Sequence, residues 1–410
     1  MDPVSSSPET RRLPTLVVVL AWVSFFNDAA SDMVIPLVPL LFVGSYGGGA
    51  LALGLMEGMA DTVSSVMRLW AGRLADRGGY KREKLVWGGY LLSNMVRPAL
   101  ALAGSWAPAI LLRSLDRVGK GLRSAPRDAL LADATDNAMR ARAFGFQRAL
   151  DNAGAMTGAL VAAIVLMTEH LSIQQIILWS ALPGVLATTV VLVGVRDHRV
   201  QKNHAHVSRP VGQNALAGWR DLPSLAHRYL GILLLFSFAR VSETFIVLRG
   251  HELGMSASIL MLLWASLSFT KSLGSHWGGV LADRFLRFHV LCLSWGGMGA
   301  GLLGFAGVSG IWGLWGVTAA YGLFAGLGEG IERALMGDLA HDGQRGTAYG
   351  WYNMTLGLAS VPAGLFFGGL WTWGSGALCF LVCGGLALVN TLLLYLLSRT
   401  ATREDKACRS

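Results

Sequence analysis

The chain has 410 residues, 53% of them hydrophobic and 14% charged, with a mean hydropathy of +0.49. A soluble globular chain is about 25% charged, so this composition excludes a disordered chain and leaves no room for a sizeable soluble domain. The formal net charge of +9 lies in loops between apolar runs rather than on one surface, which argues against a nucleic-acid partner.

In chain order, Arg11 and Arg12 precede an apolar run that continues past Phe26 without a small-residue cleavage site. It reads as a retained first helix rather than a secretory signal. A spanning helix needs about 20 apolar residues. Twelve candidate spans follow at 14–42, 50–73, 85–104, 108–133, 143–168, 173–195, 228–249, 256–281, 289–309, 312–338, 347–370 and 376–398. The expected fold class is an all-α membrane protein of twelve transmembrane helices. Lys and Arg alternate by side. One set of connections carries them throughout, from Arg11 and Arg12 to Lys406 and Arg409. The other set, 43–50, 104–108, 168–174, 308–312 and 371–376, carries none, with Arg249 at the outer end of the seventh span as the exception. The positive-inside rule then places both termini in the cytoplasm, and a bacterial-type inner membrane is the expected location. Cys292, Cys379, Cys383 and Cys408 have neither metal spacing nor a disulfide framework.

The halves repeat. LADR at 74–77 recurs at 281–284, and the twenty residues from Arg127 align without gaps to those from Glu332, at offsets of 207 and 205. Two six-helix, pseudo-symmetric bundles are expected at 1–195 and 228–398. A polar cytoplasmic linker, 196–227, joins them, and a cytoplasmic tail covers 399–410.

Gly72-Arg73-Leu74-Ala75-Asp76-Arg77-Gly78-Gly79-Tyr80-Lys81-Arg82 resembles the loop between helices 2 and 3 of the major facilitator superfamily, G-x-x-x-D-R-x-G-R-[KR], with one residue extra before the basic pair. A degenerate copy ends in Asp283-Arg284. Arg117-Val118-Gly119-Lys120-Gly121 is similar to the helix-4 motif R-x-x-Q-G, with Lys for Gln. Gly145, Gly154 and Gly158 fit the glycine spacing of the helix-5 antiporter motif, where Ala159 replaces its Pro. The resemblance implies a transporter in which spans 1, 4, 7 and 10 line a central cavity and 3, 6, 9 and 12 face outward. It also implies that Gly72, Asp76, Arg77, Arg82, Asp283 and Arg284 form a gating motif between the halves.

Charges inside spans agree with such a cavity. An ionisable side chain at the bilayer centre costs roughly 2.5–3.5 kcal/mol on the mildest scale, so it faces a cavity or a partner. Arg113, Asp116, Arg117, Lys120, Arg123 and Arg127 recur at steps of three and four along the fourth span, as one stripe. Arg113, Arg117, Arg240, Glu243, Glu329 and Arg333 are the expected substrate-binding residues. Arg favours an anionic or zwitterionic solute through its planar donor fork. Asp28 and Asp32, one turn apart, and Glu329, beside Glu332, are the expected proton carriers, since neighbouring carboxylates in low dielectric favour sharing a proton. Arg97 and Lys271 stand outside the expected lining. Gly154-x-x-x-Gly158 and Gly322-x-x-x-Gly326-x-Gly328 read as close helix-packing faces.

The expected function is secondary active transport of a small organic solute by alternating access, coupled to protons, with efflux favoured over import. No ATP-binding loop and no H-E-x-x-H or G-x-S-x-G set occurs, so neither a cofactor nor an enzyme activity is expected. A monomer in the lipid bilayer is expected. The alternatives are a divalent metal (iron) transporter of the same fold, using the Asn27-Asp28-x-x-Ser31-Asp32 oxygens, and a non-transporting membrane sensor.

Overall fold

The structure, a computed structural model, describes residues 13–76, 82–135, 137–195, 219–220, 222–340 and 345–409. The helices are α1 Thr15–Asp32, α2 Val38–Gly44, α3 Gly49–Asp76, α4 Arg82–Ala99, α5 Trp106–Asp133, α6 Asn137–Met167, α7 Ile173–Trp179, α8 Ala181–Gly194, α9 Ser224–Ala239, α10 Thr244–Glu252, α11 Ala257–Arg284, α12 Arg287–Gly307, α13 Ile311–Glu329, α14 Ile331–Asp338, α15 Arg345–Trp373 and α16 Gly376–Arg409. Hydrocarbon offers no water to backbone amides, so each span closes its hydrogen bonds within itself. Twelve spans result, because α1 continues into α2, α7 into α8, α9 into α10 and α13 into α14. Among the described residues, nine spans are long and apolar enough to cross a membrane by composition alone. The other three are α3, α4 and α5, which carry charges such as Asp61, Arg97 and Arg117 along their length.

The packing repeats half against half. α1 lies on α6 and α8, α3 on α5, and α4 on α5 and α8. In the second half α9 lies on α15 and α16, α11 on α13, and α12 on α13 and α16. The halves meet along two seams, α3 with α15 and α6 with α11. At the first seam Gly54 and Gly58 face Gly364 and Ser360 so closely that a Cβ on Gly54 would overlap the Gly364 carbonyl. Thr62 Oγ1 donates across the same seam to the Gly357 carbonyl at 2.7 Å. The expected close-packing faces behave likewise: Gly154 and Gly158 seat α6 on the backbone of Phe25 and Ala29, and Gly326 meets that of Lys271.

Two helices run past their expected spans. Residues 196–218 of the linker lie outside the described residues, and α9 begins at Ser224, inside the expected linker, because Pro223 presets the dihedral at its start. α16 continues through the expected tail to Arg409, with no Gly or Pro to stop it.

Four spans are interrupted, the first, sixth, seventh and tenth, and the sixth breaks at Ser180. The first is interrupted between α1 and α2 by a 3-10 turn, Ile35–Leu37, around Pro36. The seventh unwinds over Arg240–Glu243, and the tenth at Gly330. Such backbone survives at membrane depth only where protein or a wet cavity satisfies it. The apolar core is continuous across both halves at the end away from the termini, where Leu37 and Leu41 share a cluster with Val247, Leu248 and Leu260. At the terminus-bearing end the first half keeps a separate core of Leu16, Leu20, Tyr90 and Leu131. The halves are therefore joined at one end. On the outside, α8 exposes Leu182, Val185 and Val193, and α16 exposes Leu381, Val389 and Leu392. Spans 6 and 12 thus offer apolar side chains outward, as expected.

Candidate functional site

A cavity of about 560 Å3 lies between the halves. Spans 2, 4, 7, 8, 10 and 11 line it, the ninth span adds Met298, and the first span contributes only Ile35. The expectation of spans 1, 4, 7 and 10 therefore holds for three of the four. The physical reason is the glycine contact described above, which draws α1 against α6 and away from the centre. At the end towards the termini the cavity's side chains are exposed, as at Asp61, Lys120 and Glu329, whereas Phe245, Tyr321 and Phe367 at its other end are buried. The cavity is closed at the joined end and open at the other.

The expected substrate residues divide. Arg117 lines the cavity, and its buried Nε has no hydrogen-bond partner; among the described residues Arg117 makes no ion pair. Arg240, Glu243 and Glu329 also line it. Glu243 accepts from Lys271 Nζ at 2.5 Å. Arg240 pairs with the buried Glu332, which also accepts from Trp295 Nε1 at 2.9 Å and from the Tyr352 hydroxyl at 3.3 Å. Glu329 of α13 pairs across the halves with Arg148 of α6, both side chains about half exposed. The other two expected residues lie elsewhere. Arg113 is fully buried in the first half, 3.3 Å from Asp116 and 4.0 Å from Glu57. Arg333 is exposed outside the cavity, with its guanidinium over the Tyr349 ring.

Among the expected proton carriers, Asp28 accepts from Asn27 Nδ2 at 2.9 Å and does not border the cavity. Asp32 accepts from Trp264 Nε1, in the second half, at 2.8 Å. Asp32 and Glu329 each link one half to the other. In the gating motif, Gly72 lies on α3 near Ala125, and Asp283 and Arg284 are exposed at the end of α11. Arg77 and the side chain of Asp76 lie outside the described residues. Arg82 pairs with Asp133 at 2.5 Å, and Arg287 with Asp338 at 2.6 Å. Both partners are related by the same 205-residue offset, so each pair ties a third-span start to a fourth-span end within its own half. For Arg82 this is a contact inside a bundle, in addition to any role between them.

Sequence reasoning passed over Glu57, Asp61, Arg68 and Lys120 as site residues and set Lys271 aside, yet all five line the cavity. A signal existed for the α3 set, because Glu57, Asp61, Ser64 and Arg68 recur at helical steps of three and four, on one face. Phe245, Trp264, Tyr321, Tyr352 and Phe367 gave no sign, since an aromatic on an apolar helix looks the same whether it faces cavity or core.

The sequence model described as Major Facilitator Superfamily matches residues 20–247 and 229–408. An MFS-type transporter of Methanocaldococcus jannaschii, MJ1317, is 32% identical over 390 residues, covering 94% of this chain and 95% of that one. Multidrug resistance protein MdtH of Aeromonas hydrophila is 32% identical over a shorter stretch of 154 residues, 38% of this chain and 36% of that one. Among solved structures, the nucleoside transporter NupG superposes with a TM-score of 0.74 at 15% identity, over 93% of this chain and 98% of that one. A bacterial homologue of the human lysosomal transporter Spinster, in an inward-facing and unoccupied conformation, gives a TM-score of 0.69 at 14% identity, over 94% and 96%. Twelve spans in two matched halves around a charged cavity, together with a family match over nearly the whole length, lead to one conclusion: the chain belongs to the major facilitator superfamily.

Proposed function

We propose that the protein is a secondary active transporter that carries a small organic anion or zwitterion across the inner membrane by alternating access, in exchange for protons and in the outward direction. The observation that carries this reading is Arg117, a cation on the cavity wall without an ion-pair partner among the described residues. A buried charge is retained at such a place when a ligand completes it. The positive-inside pattern supports termini in the cytoplasm, so the open end of the cavity would face the cytoplasm. The local similarity to a protein named for multidrug resistance favours export.

Proton coupling would run through the carboxylates that bridge the halves. Protonating Glu329 removes the charge that holds Arg148, and protonating Asp32 weakens its acceptance from Trp264. Either event loosens one half from the other, which alternating access requires. Domain boundaries near 195 and 228 follow from this reading, with each half moving as a body.

The test is purified protein in proteoliposomes loaded with labelled organic anions. An imposed pH gradient should drive movement, and Glu329→Gln should abolish the driven component while leaving anion exchange. Arg117→Gln should weaken anion binding by about 2–5 kcal/mol. Anion movement that ignores the gradient would remove proton coupling, and undiminished binding by Arg117→Gln would remove the anion site.

A further inference from the structure

The cavity is chemically two-sided, and the two sides belong to different halves. All five aromatic side chains that border it, Phe245, Trp264, Tyr321, Tyr352 and Phe367, come from the second half, whereas the first half contributes none. The cations divide in the opposite sense. Arg240 and Lys271 of the second half are each held by a carboxylate of that half, Glu332 and Glu243. Arg68, Arg117 and Lys120 of the first half make no ion pair among the described residues, and Arg68 Nε and Arg117 Nε are buried without any hydrogen-bond partner. Of the two first-half carboxylates on the wall, Glu57 lies 4.0 Å from Arg113, so Asp61 alone opposes the three cations. The first-half wall therefore keeps a surplus of two positive charges, while the second-half wall is aromatic, its two cations matched by Glu332 and Glu243 and its third carboxylate, Glu329, held by Arg148 of α6.

We infer that the ligand is an amphipathic aromatic anion, its acidic head on Arg117, Lys120 and Arg68 and its planar apolar body on the second-half aromatics. This rests on the carrier reading above and narrows its substrate class. A carboxylate or phosphate head satisfies the orphaned guanidinium donors directly. A flat unsaturated body gains edge and face contacts with Phe245, Tyr321 and Phe367 that a saturated body of equal volume lacks. A single ligand so placed touches both halves at once. Its head and body pull the two walls together, which gives occupancy a way to favour closure of the open end.

The experiment uses the full chain, purified in detergent, and four probes of similar size. These are naphthalene-2-carboxylate, the saturated decalin-2-carboxylate, uncharged 2-naphthamide and cationic 2-naphthylmethylammonium. Calorimetry and thermal shift should rank naphthalene-2-carboxylate first. The decalin acid should bind about three- to tenfold more weakly, reflecting aromatic contacts worth about 0.5–1.5 kcal/mol. The amide and the ammonium should each bind about thirtyfold more weakly or worse, as expected when a buried cation loses its charged partner. Arg117→Gln should erase the preference for acid over amide, Arg117→Lys should keep part of it, and Phe367→Leu should narrow the gap between the aromatic and saturated acids. Equal binding of acid and amide, a preference for the ammonium or the saturated acid, or no binding of any probe overturns the proposal. Binding of the naphthoate without its passage into proteoliposomes would sink the carrier reading and leave the ligand class standing. Carriage of a cationic or uncharged solute by a protein that ignores the naphthoate would do the reverse.

Discussion

Asp116 accepts from Arg97 at 3.2 Å and from Arg113 at 3.3 Å, and all three side chains are almost wholly buried in the first half. Removing one partner from such a group leaves uncompensated charge in low dielectric, at a cost of about 3–5 kcal/mol. Asp116→Asn should therefore lower the thermal stability of the detergent-solubilised protein strongly without any ligand present. An unchanged melting temperature would show that water reaches Arg97 and Arg113. Arg113 and Arg117 are one helical turn apart on a single stripe, and the sequence gives them equal standing. The structure separates them: Arg113 is buried against Glu57 and Asp116, and Arg117 stands on the cavity wall. Arg97, which the sequence set aside as a stray, belongs to the same buried group, and Lys271, the other stray, faces the cavity.

At the level of helices, the α3–α15 seam is closed by small residues that let two backbones touch. A side chain on Gly58 would overlap Ser360 and Val361, so Gly58→Val should wedge the joined end apart and favour the opposite conformation. A cysteine placed at Val38, now buried, should then react faster with a membrane-impermeant thiol reagent added from the far side. Unaltered labelling would mean that the seam absorbs the bulk without moving. The paired Arg82–Asp133 and Arg287–Asp338 contacts make a contrasting case. Both are part-exposed, at 30–51% by side chain, and exposed pairs contribute about 0–1 kcal/mol. Arg287→Gln should shift stability by no more than that, and a larger loss in melting experiments would mark the pair as an organiser of the second half. Span positions were legible because helix length is set by bilayer thickness. Breaks at 35–37 and 240–243 were not, since only Pro36 announces one of them and the other follows from packing around the cavity.

For the molecule as a whole, the alternation of basic loops puts both termini on one side, and the structure joins the halves at the opposite end. Reporter fusions at the C-terminus and at loop 371–376 should report opposite sides, the first cytoplasmic. An external C-terminus would invert the assignment, and the same readout from both would abolish it. Sequence by itself determined the number of spans, the two-fold repeat and the family, because apolar run length, charge by side and motif spacing are local properties that the bilayer imposes on any such chain. Of the residues it offered as substrate-binding, Arg117, Arg240, Glu243 and Glu329 lie on the cavity wall. Tertiary structure alone decided that Asp28, Arg113 and Arg333 stand away from the cavity, that Glu332 is the buried anchor of Arg240, and that the cavity's aromatics come from the second half while its cations without an ion pair among the described residues come from the first. Those outcomes depend on how far each helix rotates and approaches its neighbours. That is fixed by contacts between residues hundreds of positions apart, which no local pattern records.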